Sequence, residues 1–412
     1  MLLWMVLPLF LFAQSYGLKN FIDNANRTNG LIKAKSLTVQ SKEKEIEAAK
    51  SAYWPTLDIG GDYSFASPNS IVSPGEVGNA FISAQVDLYD GGRKDAVLRG
   101  KGFEHEASLF EKAAFEKSIT LEIVRHYYGI QSLKATLQAL QERAKELKAQ
   151  IERVKKFKLT GLATQEEVDK LQSVYDNNQY SMENTKLAIE TSKENLKLIS
   201  GLPVGHLKRN YFLEPKKVRF EWFETIKILQ ANARAVGENV KAIDAGYMPQ
   251  VTLSDTYHKS HFDDLVPIPG GSNGFLTDHQ NSVGVAVHMR LFDNGKMSKE
   301  SEAVKYRKMA LLSRLEQAKK EQRMHFSLAK HNLHTTKAKM RSAKSALKAA
   351  TSTYRVLKQK FEVGLVDDIA FLDALAAKTL AESRYRESVY DYEVKKSIYY
   401  YYAGKDPKEF IR

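Results

Sequence analysis

Between Asp90 and Gly161, and again between Asp293 and Gly364, the chain runs for about 70 residues without a proline. Ile130, Leu133, Leu137, Leu140, Ala144, Leu147, Ile151 and Val154 step by three and four through the first run. Leu347, Ala350, Tyr354, Leu357 and Phe361 do the same in the second. Beyond each glycine the pattern resumes, through Val168, Leu171, Tyr175, Asn178 and Met182, and through Ile369, Leu372 and Ala376. Heptads of this kind pack helices side by side. The spacing therefore predicts antiparallel coiled-coil hairpins that turn at Gly161 and Gly364. A helix of about 70 residues is roughly 105 Å long, a length that no compact globular domain needs.

The two runs belong to an internal duplication. "DLYDGGRKD" at 87–95 and "RLFDNGKMS" at 290–298 place Asp90 on Asp293, an offset of 203 residues. The same offset places Gly161 on Gly364 and Gly201 on Gly404. Upstream, Pro55 pairs with Pro249 at an offset of 194, so the second half carries nine extra residues, most simply within "KSHFDDLVPIPGGSNGFLTDHQ". Repeats of this size must be recognised before a fold is assigned.

Between proline and aspartate each half alternates with period two. Leu57, Ile59, Tyr63 and Phe65 oppose Thr56, Asp58, Asp62 and Ser64; Ile82, Ala84, Val86 and Leu88 continue the apolar side. Val251, Leu253 and Tyr257, then Val283, Val285, Val287, Met289 and Leu291, repeat the pattern in the second half. Each half thus supplies a hairpin with strands about ten residues long, the length that crosses a bilayer at a tilt. The return helix is about half as long as the outgoing one. A helix over about 20–52, ahead of the first strand, makes up the difference, and 222–247 serves the second half likewise.

The N-terminal "MLLWMVLPLFLFAQSYG" has an apolar run from Leu2 to Phe12 and small residues, Ser15 and Gly17, before a cleavage point after Gly17. It reads as a signal peptide, 1–17. The chain has no cysteine, which removes disulfides and thiolate metal sites. His258 and His261 lie in a loop-like segment without a third ligand, so no metal site is expected. No phosphate-binding loop or nucleophile elbow is present, so neither an enzyme nor a cofactor is expected. The net charge of +13 suits nucleic acid, anionic lipid or plain solubility equally. A basic coiled-coil scaffold explains the charge and the heptads. It leaves the signal peptide and the four alternating strands unexplained.

The expected organisation is a first repeat over 18–202, with hairpin 56–89, long helix 91–160 and return helix 164–200. A linker, 203–221, leads to a second repeat over 222–404, with hairpin 250–292, long helix 295–363 and return helix 366–403. A tail, 405–412, follows. With its "P-x-[LV]" strand starts, "[YF]-D-x-G" junctions (Asp90, Gly92; Asp293, Gly295) and "G-L" tips (Gly161, Leu162; Gly364, Leu365), the whole mature chain resembles the TolC-like outer membrane factor family.

The resemblance implies a mixed α and β membrane protein, a homotrimer in which four strands per protomer close one β-barrel. A long periplasmic α-helical barrel of coiled-coil hairpins continues it. Four strands alone cannot close, and an open edge is not tolerated in lipid. The resemblance further implies the exit channel of a tripartite efflux or type I secretion system in the outer membrane of a Gram-negative bacterium. Its partners would be outer-membrane lipid, a periplasmic adaptor (membrane fusion) protein at the tips and an inner-membrane pump, with no nucleic acid. Drugs or metal cations would be its cargo. Family members narrow the pore with acids six and nine residues beyond each tip glycine. Glu167 and Asp373 occupy two of those places, while Lys170 and Ala370 occupy the others. Some members latch the tip with Tyr and Arg where this chain has Phe361 and Val366, so that latch does not carry over. The Tyr399–Tyr402 run is expected to pack at the equator of the helical barrel.

Overall fold

The computed structural model describes residues 15–215, 218–267, 271 and 276–412. The signal-peptide reading falls almost wholly outside the described residues, and so does part of the segment expected to hold the nine-residue insertion. The chain divides into two compact units. One comprises Leu37–Leu109 and Lys227–Glu316. The other comprises the chain up to Ser36, Phe110–Ile226 and Gln317–Arg412.

The first unit contains a four-stranded antiparallel sheet in the order β1 (Thr56–Phe65), β2 (Glu76–Tyr89), β3 (Gln250–Asp263) and β4 (His279–His288). Its register keeps the two faces distinct. Ile59, Ile82 and Tyr257 form a row across three strands, with Val86, Leu253 and Val285 in a parallel row. On the opposite face Asp58, Ser83, Thr256 and Ser282 align. A soluble hairpin would bury its apolar face. Here Ile59 is 83% exposed and Val283, Val285 and Val287 are all exposed, so no part of the described chain covers that face. β1 and β4 are both edges. Strand pairing ends at His288, leaving Met289 and Leu291 beyond the sheet.

Four helical segments of this unit are tied to one another by ion pairs. α2 (Gly30–Ser51) is joined to the head of α3 (Arg93–Leu159) by Lys42–Glu104 at 2.9 Å and Lys101–Glu45 at 2.8 Å. α3 meets α5 (Glu224–Asp244) through Arg99–Glu238 at 2.8 Å. The long α6 (Lys296–Glu362) follows α5 through Lys305 and Asp244.

In the second unit α3 and α6 continue beside α4 (Gln165–Ser200) and α7 (Asp368–Tyr402). Two cores hold them. One gathers Leu147, Ile151, Val154, Val168, Leu171, Tyr354 and Phe371 near the hairpin turns. The other surrounds Phe21, Ile123, Tyr127, Tyr128, Phe212 and Tyr400. Tyr399 and Tyr400 are buried there.

Two expectations are refined. The single helix over 20–52 is two, α1 (Leu18–Thr28) and α2, parted at Asn29. The Asn29 carboxamide oxygen accepts from Leu31 N at 2.9 Å, and its Nδ2 donates to Ile199 O at 2.9 Å. A short polar side chain thus starts α2 while fastening the break to α4. The described part of the linker and the tail also pack on each other and on α7. Phe212, 1% exposed, bridges to Ile411, and the Phe410 ring stacks on Tyr400 at 3.7 Å.

Candidate functional sites at junctions and tips

At both strand-to-helix junctions a carboxylate gathers orphan N–H groups of a helix start. Asp90 accepts from Gly92 N at 3.1 Å and Lys94 N at 2.8 Å. Asp293 accepts from Gly295 N at 3.0 Å and Met297 N at 2.9 Å. The Met297 N–H is the leading reason that the Asp293 carboxyl sits below its ordinary range, with Tyr247 and Gly295 adding to it. The two residues after each aspartate are left-handed: Gly91 (φ 72°) and Gly92 (84°), then Asn294 (56°) and Gly295 (76°). Glycine and asparagine tolerate that region best. At Gly91 a Cβ would also strike Met248, so only glycine fits. Asp90, Gly92, Asp293 and Gly295 therefore serve to turn a strand into a helix.

The tips are built as a second matched pair. Leu162 N donates to Phe157 O at 2.9 Å and Gly161 N to Lys158 O at 3.1 Å; Leu365 N donates to Lys360 O and Gly364 N to Phe361 O at the same distances. Both are Schellman stops with glycine left-handed, at φ 73° and 77°. Leu162 is 76% and Leu365 72% exposed, so each tip presents a bare leucine.

Directly after the tips the return helices are capped at equivalent positions, Thr164 and Asp367. Thr164 Oγ1 accepts from Glu167 N at 3.2 Å, and the Glu167 carboxylate accepts from Thr164 N at 3.2 Å. Asp367 accepts from Ala370 N at 2.9 Å. Glu167 is thus the reciprocal member of a capping box, a local duty that its spacing from Gly161 did not reveal. Asp373 is exposed on α7, two turns beyond that cap, and no hydrogen bond joins it to Glu167 among the described residues. Lys170 reaches Asp368 at 3.0 Å, tying the two tips together.

Phe361, where a polar latch is absent, stacks on Phe371 at 4.8 Å. The Arg153 guanidinium lies 5.5 Å from the Phe361 ring centre and donates to the Glu362 carbonyl. About two turns higher, Glu146 of α3 accepts from Tyr354 Oη at 2.9 Å and pairs with Lys358 of α6. Burial opposes the Glu146 charge, but the Lys358 and Tyr354 bonds outweigh it and hold the carboxyl below its usual range. This network escaped the sequence reading because its members lie more than 200 residues apart. The matched Tyr and Lys at i and i+4 were its only sign.

A family model described as outer membrane efflux protein matches residues 21–202 and 224–396. No curated protein matches the chain in sequence. Among solved structures the fold is similar to the outer membrane protein VceC of Vibrio cholerae, with a TM-score of 0.80, 16% identity, and 94% of this chain and 96% of that one covered. The CmeC outer membrane channel of Campylobacter jejuni gives 0.81 at 14% identity, covering 94% and 85%. The open-state MtrE outer membrane channel of Neisseria gonorrhoeae gives 0.76 at 13%, covering 94% and 89%. At such identities the likeness is one of fold.

Proposed function

Because the chain belongs to the outer membrane efflux protein family, we propose that it is the exit duct of a tripartite efflux system, passively conducting drugs or metal cations that an inner-membrane pump supplies. The observation that carries this reading is the sheet with an uncovered apolar face and two unpaired edges. Such a face is stable against lipid, and such edges need closure by other copies. Three copies, the number the family resemblance implies, give twelve strands with the polar row of Asp58, Ser83, Thr256 and Ser282 turned to the lumen. The helical hairpins then extend into the periplasm, and the bare leucines Leu162 and Leu365 meet an adaptor protein.

The test is expression in a Gram-negative host. The protein should fractionate with the outer membrane, migrate faster on gels before boiling than after, and conduct ions in planar bilayers. A soluble, monomeric product without conductance overturns the reading. Photo-crosslinkers at Leu162 and Leu365 should capture the adaptor. Capture only from loops between strands would reverse the assigned orientation.

A further inference from the structure

Resting on the reading of a closed ring of copies, we propose how the helices of neighbouring copies lock together: a basic column on α6 docks on an acidic column on α4 of the next copy. The basic column lies in a stretch of 40 residues, Gln322 to Phe361, that contains no aspartate or glutamate. Within it Arg341, Lys348 and Arg355 recur every seven residues, with Lys344 between them. All four are exposed, and none makes an ion pair among the described residues. Seven-residue spacing places them along one flank of the helix.

α4 carries the counterpart. Asp169, Asp176, Glu183 and Glu190 recur every seven residues and are all exposed. Tyr180 and Leu187, also exposed, run beside them at the same period. This is a second seam, distinct from the line of Val168, Leu171, Met182, Ile189 and Leu196 that α4 buries within its own chain. Glu183 and Glu190 do pair along the helix with Lys186 at 2.6 Å and Lys193 at 2.7 Å. Exposed pairs of that kind contribute little to stability, so a lysine from another helix can share or replace them.

Within the chain the two columns are not joined to each other by any hydrogen bond or ion pair among the described residues, although α4 and α6 share the core near the tips. α3 meets α4 through Asn178 Nδ2 to Leu140 O at 3.0 Å, and meets α6 through Glu146. No hydrogen bond or ion pair among the described residues joins α4 to α6. In a ring, the free side of α6 therefore faces the free side of α4 on the next copy.

The heights agree as well. Rotation about a ring axis leaves each residue's distance from the tip unchanged. Lys344 stands eighteen residues before Glu362, the end of α6, and Glu183 stands eighteen residues after Gln165, the start of α4. At 1.5 Å per residue both lie roughly 27 Å from their helix ends. Two antiparallel helices of opposite charge at one height fit a second copy of this chain better than any other partner.

The chain has no cysteine, which makes a direct test possible. Glu183→Cys and Lys344→Cys, placed together and oxidised in membrane vesicles, should yield a disulfide-linked ladder ending at three chains. Either cysteine alone should yield none. A trimer by native mass measurement that forms no ladder overturns the seam and leaves the ring intact; a monomer by native mass overturns both. As a second measurement, Lys344→Glu with Lys348→Glu should lower the temperature at which the trimer dissociates in detergent. Adding Asp176→Lys and Glu183→Lys should restore it. An unchanged temperature after the first reversal, or no recovery after the second, overturns the seam.

Discussion

Asp90 and Asp293 show what one side chain does for a helix of 67 residues. Each satisfies two N–H groups that would otherwise lack partners at a point where the chain changes from period two to period 3.6. Asp90 is buried, so water cannot substitute for it. Asp90→Ala should cost about 1–2 kcal/mol, read from thermal unfolding, while Asp90→Asn should cost less because one acceptor remains. A change at Gly161 acts through the backbone alone, since open space surrounds its missing Cβ. Gly161→Ala should cost about 1–2 kcal/mol from the left-handed conformation, and Gly161→Asn clearly less. Equal losses for both would mean that the tip relaxes into another turn.

Between elements, the ties that matter most are polar groups taken out of water. Lys396 of α7 is 3% exposed. It donates to Phe212 O at 2.6 Å and pairs with Glu393 at 2.7 Å, while Phe212 N donates to Glu393. Burial pushes the Glu393 carboxyl up, with Lys396 and the Phe212 N–H opposing. Lys396→Met leaves that carboxylate unpaired and should cost about 3–5 kcal/mol. Lys396→Met with Glu393→Leu should recover much of the loss, and failure to recover would sink the pairing argument.

Glu146 gives a pH dependence of definite sign. Its folded pKa is lowered, so its stabilisation is complete above the ordinary carboxyl value of about 4.3 and drains away as pH falls through the lower folded value. Amides around Tyr354 and Phe361 should exchange faster below about pH 4, and Glu146→Gln should flatten that response.

The helices and strands were legible in the sequence because each buries or exposes a periodic face, and the duplicated Asp-Gly and Gly-Leu landmarks fixed where they end. What escaped notice depends on partners distant in the chain. Nothing near Asn29 announces that its amide fastens to Ile199. Phe212 looks like a residue of an ordinary linker until Ile411 and Lys396 are beside it. Glu167 was found by its spacing from Gly161, yet spacing alone did not disclose its bond to Thr164.

In the proposed ring of three copies, Glu167 and Asp373 would each recur three times near the tips. Rings of carboxylates attract cations and raise the barrier to anions. Glu167→Gln with Asp373→Asn removes six charges per trimer, and the glutamine can keep its bond to Thr164. Cation selectivity in planar bilayers should fall, and block by multivalent cations from the periplasmic side should weaken. Unchanged selectivity would place these acids away from the conduction path, leaving the duct itself in place.

The central seam of the sheet sets an order on biogenesis. β2 and β3 belong to different repeats, and Asp87 pairs with Thr252 at a sequence separation of 165 residues. A helical hairpin can zip from its own tip as it is made, but this strand pair must wait for the second repeat. Until then the first repeat holds only the two-stranded β1–β2 ribbon, which is marginal in water. A chain halted before residue 250 has helices to fold and no sheet to insert. The duplication therefore makes the sheet a joint product of both repeats, because its central pair exists only when each has supplied a strand.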